Sequence, residues 1–428
     1  MASRSPNPVH PADQAPSSLA NALAQRLAHL AHSHLTRKLR RVARTHGVSL
    51  DSHGDRFVQF ASNDYLGLAQ HPLVVEAARD GAATFGAGST ASRLICGSLE
   101  PHHALEEALA EFKGTEAALT FASGYTTALG TIPALVGPGD TVILDRLAHA
   151  CLVDGARLSG AQLRVFRHND PVDLERVLRS EQSRRTRHST TLPPRSRPAA
   201  TLVVTESVFS MDGDLAPLQA LADVKDAAGA WLLVDEAHAT GLLGPRRAGW
   251  IEALGVRDRV EVTLGTLGKA LGVAGGFIAG SRLLHDVLIH DARSFLFSTA
   301  PPPANATAAL AALRLVQSPE GAARAEHLGR NVPHLHAGLT RQGWELPPPA
   351  SPILPLRIGD EANALTLASA LRAHGFLVPA IRHPTVARGQ ARLRLTLSAL
   401  HQPEHLDAFL DTLARLRPDP RPTPTRNS

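Results

Sequence analysis

The stretch "AWLLVDEAHATGLLG" (Ala230–Gly244) decides the fold. Five apolar residues run unbroken up to Asp235, and a turn with a glycine follows. A short apolar run bounded by turn residues reads as a strand buried on both faces. A carboxylate at the C-terminal end of such a strand stands where parallel α/β sheets bind their ligands. His238, three residues on, can face the same cavity. A lone aspartate there also reads as a helix cap, so its surroundings must decide. "DEAH" is a helicase signature as well, but that reading needs an upstream phosphate loop of the form GxxxxGK[ST]. None precedes it. The one Gly-Lys pair, Gly268-Lys269, lies downstream and continues with Ala270.

Outward from this strand the pattern repeats. "AALTFASGYTTALGTIPAL" (Ala117–Leu135), "DTVILDRLAHACLVDGARLSG" (Asp140–Gly160) and "ATLVVTESVFSMDGDLAPLQALADVKDAAG" (Ala200–Gly229) each read as strand, turn and helix. From about Asn63 to Pro302 this predicts an α/β fold, a mainly parallel sheet covered by helices on both faces. "TAPPPAN" (Thr299–Asn305) breaks the chain. A long helical pattern follows, then "ILPLRIG" (Ile353–Gly359), a helix from about Ala362, "FLVPAIRHP" and "ARLRLTLSA", which form a smaller α+β unit. The expected division is a disordered leader and helical arm over 1–62, a large domain over 63–302, a small C-terminal domain over 303–416 and a disordered tail over 417–428. Within the arm, apolar residues at helical spacing predict one amphipathic helix over Leu19–Ala43.

Composition narrows the class. The 428 residues are 43% hydrophobic, enough for a large core, and contain no apolar run near the roughly 20 residues of a membrane helix. Cys96 and Cys151 form no CxxC pattern, which fits a reducing cytoplasm and no bound metal. The first residues lack the apolar stretch of a secretion signal. The formal charge is +5, and "SRRTRHSTTLPPRSRP" (Ser183–Pro198) holds five arginines and no acid. This insert therefore equals the whole excess. It reads as a solvated surface loop; with no aromatics interleaved for stacking, it does not read as a nucleic-acid site.

The glycine-flanked lysine in "TLGTLGKALGVAGGF" (Thr263–Phe277) carries the chemistry. The chain has few other lysines, Lys38, Lys113 and Lys225, and otherwise uses arginine for positive charge. A lysine near its usual pKa of about 10.4 is a poor nucleophile, whereas desolvation frees the amine to form a Schiff base. Bare glycine backbone lets a flat ligand approach, and Thr266 can donate to a phosphate. In "FASGYTTALG", a strand runs into Ser123-Gly124-Tyr125 and a helix starts, an anion site by its free N–H groups. In "DRLAHACL", His149 follows a strand. Pyridoxal phosphate (PLP) needs a lysine for its aldehyde, an acid for its ring nitrogen, donors for its phosphate and a planar group against its ring. Lys269, Asp235, Gly124 with Thr266, and His149 match those needs in turn.

With these residues the chain resembles the α-oxoamine synthases, PLP-dependent enzymes of fold type I, from about Arg40 to Leu413. The resemblance rests on "ASNDYLGL", "FASGY", "DRLAHACL", "FRHND", "TESVFSMDGDLAPL", "VDEAHATG", "TLGKALGVAGG", "FSTAPPP" and "AIRHPTVARGQARLRLTLSALH". It implies that Lys269 holds the cofactor and moves protons, that Asp235 keeps the ring nitrogen protonated, that His238 bonds the ring's phenolic oxygen and that His149 stacks on the ring. Gly124, Tyr125 and Thr266 would hold the phosphate, with Ser298 and Thr299 reaching it from a second subunit of a homodimer. Ser210 would line the site. Arg394 would bind an amino acid carboxylate. Asn63 and Thr385 would contact substrate, and Arg40 the acyl donor, with Arg41 an equal alignment.

The last quoted stretch is most similar to the family members that condense L-alanine with pimeloyl-CoA or pimeloyl-carrier protein. Members using glycine or serine with other acyl groups share the cofactor residues, and spacing does not separate them. Two features depart from the family pattern: the basic insert, and His383 where a second proline is common.

Overall fold

The computed structural model describes residues 18–33, 35–188 and 198–416. Its centre is a seven-stranded sheet. In chain order the strands are β1 (Ala117–Phe121), β2 (Thr141–Asp145), β3 (Gln162–Phe166), β4 (Thr201–Glu206), β5 (Trp231–Asp235), β6 (Val262–Thr266) and β7 (Gly276–Gly280). Their spatial order is β1-β7-β6-β5-β4-β2-β3. The neighbours from β6 to β3 pair in parallel, and only β7 runs antiparallel, between β1 and β6. Alternate residues of one strand enter opposite cores, as the pleat requires. Leu202, Val204 and Leu233 pack on one face with Ile132, Leu152 and Ile278. Val203, Leu232 and Val234 pack on the other with Leu178, Leu218 and Ile251. All three central β5 residues are fully buried, which explains the unbroken apolar run before Asp235.

A three-stranded antiparallel sheet, Ile353–Gly359, Ala391–Thr396 and Ala380–Ile381, forms the C-terminal part with the helices Glu361–Ala373 and Pro403–Leu416. One apolar cluster runs from Leu109, Phe112 and Phe277 beside the large sheet, through Phe60 and Tyr65, to Leu393, Leu395 and Phe409. That continuous core sets the small sheet against the large one and brings Arg394 toward the C-terminal ends of β4 and β5. Among the described residues no helix is long and apolar enough to cross a membrane.

The N-terminal arm differs from expectation. Its helix covers only Leu19–His32, not the span to Ala43. Arg37, Lys38, Arg40 and Arg41 crowd like charges one turn apart, which disfavours helix. The backbone instead runs extended onto an antiparallel hairpin: Ala43 N–H bonds Asp51 O at 2.8 Å and Ser52 Oγ donates to Arg41 O at 2.7 Å. That hairpin continues into a third strand, Asp55–Gln59, which pairs in parallel with Phe376–Leu377 of the C-terminal part. The basic insert also departs from a loop at its start, since the helix Pro171–His188 continues through Ser183–His188. An i,i+3 pair, Arg184 to Glu181 at 2.6 Å, ties that turn. Residues 189–197 of the insert, the leader up to residue 17 and the tail over 417–428 lie outside the described residues.

Candidate active site

Sheet topology gathers the chemistry at one edge. Glu206 and Asp235 end adjacent parallel strands, β4 and β5, in register with each other. Thr266 ends β6, and Lys269 follows in the turn before β7. Gly124 opens the helix Gly124–Leu135 after β1, and His149 caps the helix Ala150–Leu158 after β2. Together these residues line a cavity of about 150 Å³ that also includes Tyr125, Cys151 and Ala237. The glycines act by size. A Cβ on Gly276 would come 2.6 Å from Gly124 N, so only glycine lets β7 pass under the start of that helix. Gly272 has φ +70°, and a Cβ there would come 2.5 Å from Ala69 N, which brings the Lys269 turn against the Asp64–Ala69 segment.

A row of side chains crosses the site. Lys269 Nζ lies 2.6 Å from His238 Nε2, and His238 Nδ1 lies 2.6 Å from Tyr65 Oη. Tyr65 Oη donates to Asn63 Oδ1 at 3.3 Å, and both terminal nitrogens of Arg394 donate to the same Asn63 oxygen at 3.3 Å. Arg394 Nε donates to Ser210 O at 2.5 Å. Burial dominates the electrostatics here. It drives the Lys269 amine down to about 8, against the pull of Asp235 and Glu206. It pushes His238 well below its usual range, helped by Lys269 and Arg394, so that ring is neutral. It raises the Tyr65 phenol to about 12 and the Asp235 carboxyl above its ordinary value. It also lowers His149 and raises Glu206 to about 8, with Asp235 adding to the latter.

The residues fit a phosphorylated, carbonyl-bearing aromatic cofactor. Of the four N–H groups that open the helix Gly124–Leu135, those of Thr126 and Thr127 bond Ser123 Oγ and Ser123 O at 3.1 and 3.0 Å. Among the described residues the amides of Gly124 and Tyr125 bond nothing, which leaves them for an anion beside the cavity. Asp235 lines the cavity; its Oδ1 accepts from Ala237 N at 2.8 Å, and its Oδ2 has no hydrogen bond among the described residues. An amine of lowered pKa, an acid and an imidazole complete the donor set. Thr266 is engaged elsewhere: its hydroxyl donates to Gly275 O at 3.0 Å and accepts from Gly268 N at 3.2 Å.

Of the residues singled out in the sequence, Lys269, Asp235, His238, His149, Gly124, Tyr125 and Thr266 converge, with Asn63, Arg394 and Ser210 at the far end of the row. The Tyr125 hydroxyl turns away to Asp154. Ser298, Thr299, Thr385, Arg40 and Arg41 share no hydrogen bond with that row among the described residues. Thr299 instead bridges to Ser92, and Thr385, Arg40 and Arg41 are exposed.

Three titratable cavity or row residues carried no role in the sequence reading. Tyr65 stands inside "ASNDYLGL" as one of only two tyrosines, which was the available signal. Glu206 accepts the His149 N–H at 2.7 Å, and Cys151 lies 3.0 Å from His149 Nδ1. Their strand-end and post-histidine positions become informative only once the strands are aligned.

Residues 55–413 match the family "Aminotransferase class I and II". The chain is 48% identical over 394 residues to the 8-amino-7-oxononanoate synthase of Anaeromyxobacter dehalogenans, covering 92% of this chain and 95% of the relative. It superimposes on a serine palmitoyltransferase of S. paucimobilis, solved with a PLP–myriocin aldimine bound, at TM-score 0.85 and 29% identity over 94% of this chain and 98% of that one. An 8-amino-7-oxononanoate synthase structure from Francisella tularensis matches at TM-score 0.67 and 25% identity, covering 84% and 97% of the two chains.

Proposed function

The chain belongs to the class I and II aminotransferase family, of fold type I, and from that premise we propose that it is a PLP-dependent acyltransferase joining L-alanine to a pimeloyl thioester. The thioester is pimeloyl-CoA or pimeloyl-carrier protein. The products are 8-amino-7-oxononanoate, carbon dioxide and the free CoA or carrier thiol, a step of biotin biosynthesis. The single observation that carries this reading is the Lys269 amine, lowered to about 8, in one cavity with the free Asp235 oxygen and the two free amides of the Gly124 helix. The name shared with a relative 48% identical over 92% of the chain directs the choice of substrate.

When bound, pyridoxal 5′-phosphate supplies the electron sink that stabilises negative charge at an amino acid's α-carbon. Lys269 would hold the cofactor's aldehyde, then take and return protons at that carbon, which a pKa near 8 suits. Asp235 would keep the ring nitrogen protonated. His149 would lie against the ring, and His238 would bond its phenolic oxygen. The Gly124 and Tyr125 amides would hold the phosphate, with Thr266 after its hydroxyl turns from Gly275. Arg394, steadied by Ser210 and Asn63, would take the alanine carboxylate bidentately. Thr385 and Arg40, or Arg41, would meet the acyl donor. Ser298 and Thr299, outside the row, suit a homodimer in which each copy completes its partner's phosphate site. The enzyme would act in the cytoplasm.

The deciding assay measures thiol release with alanine, glycine or serine against pimeloyl-, acetyl-, succinyl- and palmitoyl-CoA, and with pimeloyl-carrier protein. Alanine with a pimeloyl donor should give the highest kcat/KM. Because one methyl discriminates by only about 1–3 kcal/mol, some turnover of glycine is expected. A higher kcat/KM for glycine with acetyl- or succinyl-CoA, or for serine with palmitoyl-CoA, would sink the substrate assignment.

A further inference from the structure

His168 belongs to "FRHND", a stretch to which the proposed chemistry assigns no role. It follows β3, outside the cavity. Its Nδ1 lies 2.9 Å from Asp145 Oδ1 and its Nε2 lies 2.8 Å from Asp214 Oδ2. Two carboxylates on the two nitrogens of one ring are satisfied together only when both nitrogens carry a proton. Asp145 is fully buried and ends β2, four residues before His149; its oxygens also accept the Leu147 and Asn169 amides at 2.8 and 2.9 Å. Asp214 belongs to the loop between Ser207 and Leu215 and accepts Asn169 Nδ2 at 2.8 Å. The same loop sets Phe209 edge-on to the His168 ring, with centroids 4.3 Å apart. Arg167, next in sequence, turns instead to Asp170 and Asp173.

The loop matters because of what it offers on its other side. Ser210 O is the partner of Arg394 Nε at 2.5 Å, and Asp212 pairs with Arg392 at 2.6 Å. Both arginines come from the small sheet, on the strand Ala391–Thr396. The loop therefore stands between β2 and β3 of the large sheet and the arginine proposed to bind substrate.

We propose that His168 is a positioning residue: held as an imidazolium between Asp145 and Asp214, it fixes the Ser207–Leu215 loop to the large sheet and so sets Arg394 for the amino acid carboxylate. This rests on the reading of Arg394 as the carboxylate binder. Burial opposes the charge, but the hydrogen bonds and charges of Asp145 and Asp214 prevail, and the ring is pushed up to about 10. The clasp therefore stays charged across the neutral range.

Histidine NMR of the cofactor-free protein at pH 8 should show both His168 nitrogens protonated; a singly protonated ring overturns the proposal. His168→Gln presents an oxygen to one carboxylate. It should speed amide hydrogen exchange in the peptide spanning 207–216 of the cofactor-free protein, and leave the peptide spanning 262–276 unchanged. In the loaded enzyme the KM for L-alanine should rise about tenfold with kcat within about twofold, since a small misplacement of a binding group weakens binding before it stops chemistry. Asp214→Asn, which keeps the shape and removes one charge, should move both readouts the same way by less. An unchanged alanine KM overturns the proposal, and so does a matching loss of cofactor affinity, because the clasp would then serve the fold at large. If alanine proves not to be a substrate, the functional reading fails by itself, and the NMR and exchange results still decide whether the clasp exists.

Discussion

Lys269 Nζ and His238 Nε2 lie 2.6 Å apart, and the far edge of the same imidazole meets the Tyr65 hydroxyl at 2.6 Å. A neutral imidazole has one N–H, so the state of Lys269 sets the direction of both bonds. With a neutral amine, Nε2–H donates to Lys269 and Tyr65 donates to Nδ1. With an ammonium, both bonds reverse, and the Tyr65 hydroxyl donates its hydrogen bond to Asn63 Oδ1 instead. Either state leaves both imidazole nitrogens and the Tyr65 hydroxyl paired, so the His238–Tyr65 pair accommodates either state of the amine.

Tyr65→Phe keeps the ring in the core and removes the hydroxyl. His238 Nδ1 then loses its partner, at a cost of roughly 1–3 kcal/mol. Urea unfolding of the cofactor-free protein should show a loss of that size. Turnover should fall about tenfold or more, while cofactor affinity holds. Unchanged stability and rate would mean that the hydroxyl plays no part.

Lys269→Met should stabilise the cofactor-free protein at pH 7. The folded amine titrates near 8, below its ordinary value of 10.5, so the buried charge costs stability wherever the folded chain keeps the proton. That cost is full below about pH 8 and disappears as the pH rises past about 10. The variant should gain about 3 kcal/mol at pH 7, and the gain should shrink over that window in thermal melts. It should also fail to turn over. Full activity in this variant would remove the basis of the proposed chemistry.

Asp235→Asn preserves size and removes charge. An opposite charge within about 4–6 Å typically shifts a pKa by one to three units. Without it the cofactor's ring nitrogen should lose its proton near neutral pH. The rate should fall by about a hundredfold or more, with cofactor affinity changed far less. Equal rates in the two proteins, measured with saturating cofactor, would reduce Asp235 to a helix cap.

Lys113→Met should be severe although it lies outside the cavity. Its amine, with the side chain 3% exposed, meets Glu236 Oε2 and Thr240 Oγ1 at 2.8 Å and Ala248 O closer still. Removing one partner of such a buried pair costs about 3–5 kcal/mol. Glu236 sits between Asp235 and Ala237 and also accepts the Ile251 amide at 2.9 Å. Chemical denaturation should show the loss, and Lys113→Met with Glu236→Leu should recover part of it. A neutral single substitution would show that water reaches the pair.

Much of the architecture was legible because it depends on local pattern. Leu202–Val204 and Leu232–Val234 are buried on both sheet faces, so they had to be apolar in unbroken runs. Gly276 and Gly272 were read as room for a flat ligand, whereas a Cβ on either would strike the protein's own backbone at Gly124 or Ala69, a neighbour no local pattern names. The arm was misread because helical spacing over Leu19–Ala43 says nothing about the hairpin that captures Arg41 and Ala43. His168 and Tyr65 were quoted in the sequence and given no work, because their partners lie 23 to 173 residues away.

Sequence alone determined the α/β class, the strand end that carries Asp235, and the glycine-flanked lysine, because periodicity, turn chemistry and residue type are written within a few residues of one another. Tertiary structure alone decided that Lys269, His238, Tyr65, Asn63 and Arg394 form one row, and that Glu206 stands beside Asp235. Those facts depend on strand order and on a core shared by two sheets. Distances between residues far apart in the chain are set by packing, which no local pattern records.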